Sequence, residues 1–195
     1  MKNKEEILFE LHKKYDKKTA MHEKRVAELA YKVAEKISTS KELLTNIYYA
    51  GLLHDIGKMF IPLSILKNNN PLSHNEIKIL KDHSAEGAEF LEKQGFNERI
   101  VKGVRDHHER LDGSGYPLGL MNEEISMEGK IIAICDTYDA MSSPRPYRKK
   151  LYSNEEIFKK MLKGTSVLFD PYILELLEKV IEEDNYEKEK VFLYG

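Results

Sequence analysis

The chain has 195 residues, which is enough for one domain with a sizeable hydrophobic core. Hydrophobic residues make up 41% and charged residues 33%, a composition typical of a folded globular protein and unlike that of a disordered one. A formal net charge of −2 argues against a broad basic surface, so we expect no binding to a nucleic acid polymer.

Two further classes of protein are disfavoured. No apolar segment approaches the roughly 20 residues that a membrane-spanning helix needs, and the N-terminal sequence lacks the apolar run of a secretion signal. We therefore expect a cytoplasmic protein that does not bind a membrane. The single cysteine, Cys135, excludes an internal disulfide and a cysteine cluster for zinc. Any metal would have to be held by nitrogen and oxygen ligands.

Helical periodicity dominates the chain. Apolar residues such as Val26, Leu29, Ala30 and Val33 recur at the three- and four-residue steps of one helix face. The pattern predicts an all-α fold, a single helical bundle, with helices near residues 3–14, 19–37, 40–55, 74–93, 97–108, 123–141, 154–163 and 171–183. Capping boxes are predicted at the pairs Thr39 and Glu42, Ser73 and Glu76, and Ser153 and Glu156. The segments 59–72 and 109–122 are predicted to be irregular.

Five of the seven histidines and two aspartates lie at apolar helix faces or ends, whereas His12 and His74 do not fit this group. Asp55 follows an apolar helix, where a buried carboxylate needs a cation, a metal or several donors. A lone histidine on an apolar face is usually a hydrogen-bonded core residue, but seven such groups favour one metal site. Catalysis by acid and base groups alone would not need seven residues. The predicted ligands are His22, His54, Asp55, His83, His107, His108 and Asp136.

Seven ligands exceed the needs of one ion, so we expect two divalent ions. Asp55 is the natural bridge between them because its neighbour His54 can bind one ion while the carboxylate contacts both. Imidazole and carboxylate ligands suit iron, manganese, zinc, nickel or cobalt, and iron or manganese is our expectation. Two ions that share a bridging water are a standard arrangement for attack on phosphorus, and Asp55 would belong to the catalytic machinery.

At this point two motifs resemble the signatures of the HD-GYP family of HD-domain metal-dependent phosphohydrolases. They are HDIGK at 54–58 and HHERLDGSGYP at 107–117. His83 within KDHSAEGAEFL, Asp136 within ICDTYDAM and the RPYR segment at 145–148 follow in the family's order. The resemblance covers roughly residues 19–175, with an N-terminal helix over 1–18 before it and a helix end and tail over 176–195 after it.

The resemblance implies an HD-domain bundle with the metal site in its core and hydrolysis of cyclic di-GMP to pGpG and GMP. By position, Lys58 is similar to the family's contact with the scissile phosphate, and Arg145 and Arg148 to contacts with the ligand. Gly115, Tyr116 and Pro117 are expected to shape the loop, braced by a charge pair between Arg110 and Asp112. Family members with three metals carry a Glu where this chain has Lys18, so the expectation stays at two ions.

Two alternatives stay open at this point. One is a phosphohydrolase of another nucleotide or cyclic dinucleotide, and the other is a non-catalytic receptor for a cyclic dinucleotide. The sequence also leaves open a homodimer or a regulatory partner protein.

Overall fold

The computed structural model describes residues 3–68, 70–143, 151–163 and 167–194, with side chains described as far as residue 185. Its α-helices are α1 (Lys4–Tyr15), α2 (Lys17–Glu35), α3 (Lys41–Leu53), α4 (Leu63–Leu66), α5 (His74–Lys81), α6 (His83–Lys93), α7 (Glu98–Asp106), α8 (Met127–Ser142), α9 (Asn154–Leu162) and α10 (Pro171–Tyr194). Short 3-10 helices span Ile56–Phe60 and Asn122–Glu124. Within the described ranges there is no strand, only an isolated bridge between Asp112 and Met121. The all-α prediction is confirmed.

The predicted helix starts are mostly correct. Ser73 and Ser153 each form a complete capping box, in which the serine side chain accepts from the third helical N–H and the glutamate there accepts from the serine N–H. The box predicted at Thr39 is wrong. Ser40 is the cap instead, because its backbone is extended (ψ 111°) and its side chain accepts from the N–H of Leu43.

Three predicted boundaries also differ from the structure. The helix predicted over 74–93 divides at Asp82, since the His83 ring takes the Leu80 carbonyl that a continuous helix would offer to a backbone N–H. The irregular segment 59–72 contains α4, whose Ile65 is buried. Helix α10 continues to Tyr194 rather than ending near 183.

Small residues allow the central helices to approach one another closely. A Cβ atom on Gly51 of α3 would lie 2.9 Å from the Cα of Ala27 on α2. A Cβ atom on Gly103 of α7 would lie 2.8 Å from the Cβ of Ala50 on α3 and 2.9 Å from that of Glu128 on α8. Contacts this close hold α2, α3, α7 and α8 around one core of fully buried aliphatic side chains.

A third glycine positions the segment that follows α3. A Cβ atom on Gly57 would lie only 1.9 Å from the carbonyl oxygen of His83, so this backbone packs directly on the start of α6. The contact brings the residues just before Gly57 next to His83. In the described part of the chain, no helix combines the length and the apolarity that crossing a bilayer requires.

Candidate metal centre

Three histidines at helix ends are oriented by the backbone. Each donates from Nδ1 to the carbonyl oxygen three residues earlier: His54 to Gly51 (2.8 Å), His83 to Leu80 (2.6 Å) and His107 to Val104 (2.6 Å). A carbonyl oxygen can only accept, so Nδ1 carries the proton in each ring. The Nε2 atoms are left as acceptors, the form in which a histidine binds a metal.

All seven predicted ligands come together in this region. Their nitrogen and oxygen atoms form three overlapping groups, and within each group they lie within 4.8 Å of one another. The groups are His22 with His54 and Asp136, His83 with His107 and His108, and His54 with Asp55 and His107. The third group links the other two.

Asp55 lies between the first two groups. Its Oδ1 atom is 3.3 Å from Nε2 of His83, and its Oδ2 atom is 3.5 Å from Nε2 of His54. The carboxylate is almost fully buried, and although burial opposes its ionisation, the positive charge of Lys58 holds its pKa well below the usual range. Asp55 is therefore an anion with one oxygen directed at each group.

The donor set fits a cation. The Nε2 atoms of His83 and His107 lie 3.4 Å apart, although both are acceptors. Nε2 of His54 is buried and has no hydrogen-bond partner among the described residues. Burial and neighbouring histidines keep the pKa of His107 well below its usual range, and burial is the main cause that lowers the pKa of His108 to about 3. Neutral imidazoles facing one another around an anionic carboxylate suit divalent metal ions.

His22, on α2, is held between two carboxylates of α8. Its Nε2 atom is 2.9 Å from Oδ1 of Asp136, and its Nδ1 atom is 2.6 Å from Oδ2 of Asp139. Burial alone would lower the pKa of His22, but the two carboxylates raise it to about 9. Asp139 was absent from the sequence prediction. The only available signal was its spacing, since residues three apart share a helix face.

Lys58, predicted to contact the substrate, lies beside Asp55 with its Nζ atom 2.5 Å from Oδ2. Burial would lower the pKa of this amine, but the charge and hydrogen bond of Asp55 raise it, so Lys58 is a cation next to the cluster. The other two predicted substrate contacts, Arg145 and Arg148, lie outside the described residues.

The loop after α7 is organised by Glu109, whose buried carboxylate accepts from the N–H groups of Leu118, Gly119 and Leu120 at 2.7 to 3.1 Å. Gly115 lies so close to Glu109 that a Cβ atom on it would be only 2.4 Å from the Cα of Glu109. This arrangement puts the ring of Tyr116 4.6 Å from that of His108. The GYP residues thus pack against a predicted ligand.

The charges of Arg110 and Asp112 interact as predicted, but the hydrogen bonds of both side chains go to other groups. Arg110 donates to the carbonyls of His107 and Glu109, and Asp112 accepts from Ser114.

His12, which the sequence does not place in the metal site, is fully buried. Its Nδ1 atom is 2.8 Å from Oε2 of Glu23, and neither side chain is exposed to solvent. Glu23 directly follows His22 on α2, so helix α1 is tied to the helix that carries a predicted ligand. Sequence offered no signal for this pair, because its partners lie on different helices.

Comparison with known proteins gives consistent matches. The sequence profile described as HD domain matches residues 6–173. A "Cyclic di-GMP phosphodiesterase" of Thermotoga maritima is 38% identical over 191 residues, which cover 95% of this chain and 51% of that protein. The "3'3'-cGAMP-specific phosphodiesterase 1" of Vibrio cholerae is 36% identical over 137 residues, covering 70% of this chain and 32% of that protein. The chain thus spans about half the length, or less, of these relatives.

A solved structure shares the fold. It is titled "Bd1817, a HDG"Y"P protein from Bdellovibrio bacteriovorus" and superposes with a TM-score of 0.68 at 20% identity, covering 84% of this chain and 52% of that one. The profile match, the relatives and the two motifs confirm the predicted family: the chain belongs to the HD-domain family and, within it, to the HD-GYP group.

Proposed function

We propose that this chain is a metal-dependent phosphodiesterase that hydrolyses cyclic di-GMP to pGpG and GMP, with residues 19–175 as the catalytic unit. The observation that carries the proposal is Asp55, a buried carboxylate whose two oxygens face two separate groups of metal-ligand atoms. This geometry favours two divalent ions, with iron or manganese as the expected metals and zinc, nickel or cobalt as alternatives.

The proposed ligands divide between the two ions. His22, His54 and Asp136 would hold one ion, His83, His107 and His108 the other, and Asp55 would bridge them. When bound, the ions supply the Lewis acidity that activates water and neutralises charge on a phosphate. The fixed Nδ1 protons of His54, His83 and His107 keep the ring nitrogens aimed at the centre without further reorganisation.

Lys58 would be the positively charged side chain that contacts the substrate. Its amine lies at the cluster and is partly buried, so it can reach an oxygen of a phosphate seated there and stabilise the charge that develops during hydrolysis. Arg145 and Arg148 stay predicted contacts to the ligand. The proposed reaction needs no protein nucleophile. Every group at the middle of the cluster is suited to bind a metal.

The name of the Thermotoga maritima relative supports cyclic di-GMP as the substrate. The Vibrio cholerae relative is named for 3'3'-cGAMP, so that dinucleotide is the first competing substrate. A non-catalytic receptor is the alternative from another class. The complete set of seven ligands supports an enzyme, because binding alone would not require every ligand.

The test is to incubate the metal-loaded protein with cyclic di-GMP, 3'3'-cGAMP, cyclic di-AMP and a generic phosphodiester, and to separate the products. We expect pGpG and then GMP from cyclic di-GMP. His54→Ala and Asp55→Ala should lose both metal content and turnover, whereas His74→Ala, which alters an exposed histidine outside the centre, should keep both. Binding of a cyclic dinucleotide without any product would support the receptor, and full activity of Asp55→Ala would refute the metal mechanism.

A further inference from the structure

His22 differs from three of the other proposed ligands in how its ring is held. His54, His83 and His107 lie at helix ends, where each Nδ1 donates to a backbone carbonyl that the helix fixes. His22 lies inside α2, where the carbonyls serve the helix itself. Its Nδ1 donates instead to a side chain, Asp139 of α8, at 2.6 Å.

Asp139 is itself fixed by a bidentate contact with Arg25. Nε of Arg25 donates to Oδ1 at 2.7 Å, and Nη2 donates to Oδ2 at 2.8 Å. The hydroxyl of Ser143 contacts Oδ2 at 3.3 Å. A planar guanidinium that binds both oxygens sets the plane of the carboxylate as well as its position. Arg25 is on α2, one turn after His22, so the contact joins the two helices at this point.

The two aspartates of α8 therefore have different relations to His22. Asp136 faces Nε2 and belongs to a group of potential ligand atoms, whereas Asp139 faces Nδ1 and is turned away from that group. A carboxylate on Nδ1 keeps the proton there and leaves Nε2 to bind a metal.

We propose that Asp139 and Arg25 are positioning residues for the metal centre, which orient His22 and fix its tautomer so that Nε2 coordinates the ion. The inference rests on the proposed metal site. Without Asp139, the His22 ring can rotate or carry its proton on Nε2, and the ion that it shares with His54 and Asp136 binds more weakly. The ion held by His83, His107 and His108 keeps its own ligands and their backbone contacts.

The experiment titrates Mn²⁺ into the metal-free protein and counts the free ion by electron paramagnetic resonance. The wild-type chain should bind two ions. The Asp139→Asn protein should bind the ion of His83, His107 and His108 with unchanged affinity. Its affinity for the ion of His22, His54 and Asp136 should fall by about 10- to 100-fold, the usual effect of losing a hydrogen bond to a metal ligand. Arg25→Gln should weaken the same ion to a smaller extent, and Arg25→Lys should fall between Arg25→Gln and the wild type, since lysine keeps the charge without the bidentate contact.

Arg99→Gln is the matched control. Like Arg25, Arg99 is an exposed arginine that contacts a buried carboxylate, and its Nη1 atom lies 3.2 Å from Oε1 of Glu128. The pair of Arg99 and Glu128 lies outside the three ligand groups. The Arg99→Gln protein should bind both ions as the wild type does. Urea unfolding of each metal-free variant separates a loss of stability from a loss of affinity.

Each result of the Mn²⁺ titration leads to one conclusion. Asp139→Asn and Arg25→Gln proteins that fold and bind both ions with wild-type affinity overturn the inference, while the metal site stands. If Asp139→Asn does not fold, Arg25→Gln decides, because its side chain is 46% exposed and its removal leaves no cavity in the core. A wild-type chain that binds no Mn²⁺ overturns the metal site and this inference together.

Discussion

The buried pair between His12 and Glu23 allows a quantitative test of the fold. Both side chains have no exposure to solvent and lie 2.8 Å apart. His12→Leu fills a similar volume but leaves the Glu23 carboxyl group buried without its partner. Removal of one member of a buried ion pair typically costs about 3 to 5 kcal/mol, and we expect a loss in this range near neutral pH.

The double variant His12→Leu with Glu23→Met removes both polar groups. An apolar pair of similar volume is often neutral or stabilising, so the second substitution should recover most of the loss. Urea unfolding of the metal-free protein measures all four free energies of a double-mutant cycle. A His12→Leu loss below about 1 kcal/mol, or a double variant less stable than His12→Leu, would refute the ion-pair account.

The free energy of unfolding of the His12→Leu variant should also depend on pH in a definite direction. Buried alone, Glu23 has a folded pKa above its unfolded value of about 4.3, so the native state binds a proton that the unfolded state releases. The stability of His12→Leu relative to the double variant should therefore be greatest at low pH and should fall by up to about 1.4 kcal/mol per pH unit as pH rises through the interval between those values. A flat profile between pH 5 and 7 would contradict this reasoning.

Three further predictions concern the centre and its loop. Metal binding at His22 must displace a proton, because carboxylates raise the pKa of His22 to about 9. The affinity of the ion at His22 should therefore rise about tenfold per pH unit below pH 9. Mn²⁺ titrations at pH 7 and 8 measure this change, and equal affinities at the two pH values would argue against it. Gly57→Ala should reduce metal content and stability, since its Cβ would lie 1.9 Å from the His83 carbonyl. Gly95→Ala, whose Cβ would meet no atom within 4 Å but whose φ is +68°, should lower stability through backbone strain and still keep the metal. Glu109→Gln should cost about 1 to 3 kcal/mol and speed proteolysis of the 110–121 loop, because one amide oxygen replaces two carboxylate oxygens; unchanged cleavage would oppose this role.

The helices and the central residues could be predicted from sequence because both depend on local patterns. Apolar periodicity marks helix faces, and serine with glutamate three residues later marks two of the starts. His54 and His107 were recognisable because polar groups follow apolar helical turns there. The break at Asp82 could not be seen in this way, since it accompanies a contact between the His83 ring and a carbonyl.

The supporting residues were missed for a different reason. Asp139 and Arg25 are common residue types on helices that also carry solvated charges, and only the packing of α2 against α8 brings them together. His12 and Glu23 are likewise joined by the packing of α1 on α2. Sequence patterns identify groups that are out of place in an apolar helix, whereas partners across two helices require the tertiary structure.

The central proposal is that this chain hydrolyses a cyclic dinucleotide with two divalent ions, which its histidines and aspartates would hold and Asp55 would bridge. Its most direct test is the rate of cyclic di-GMP hydrolysis measured as Mn²⁺ is added to the metal-free chain, with the number of bound ions determined in the same samples. We predict that turnover follows the fraction of chains that hold both ions, and that chains with a single ion contribute negligible turnover. Full turnover with one ion, or turnover that persists in the metal-free chain, would contradict the account.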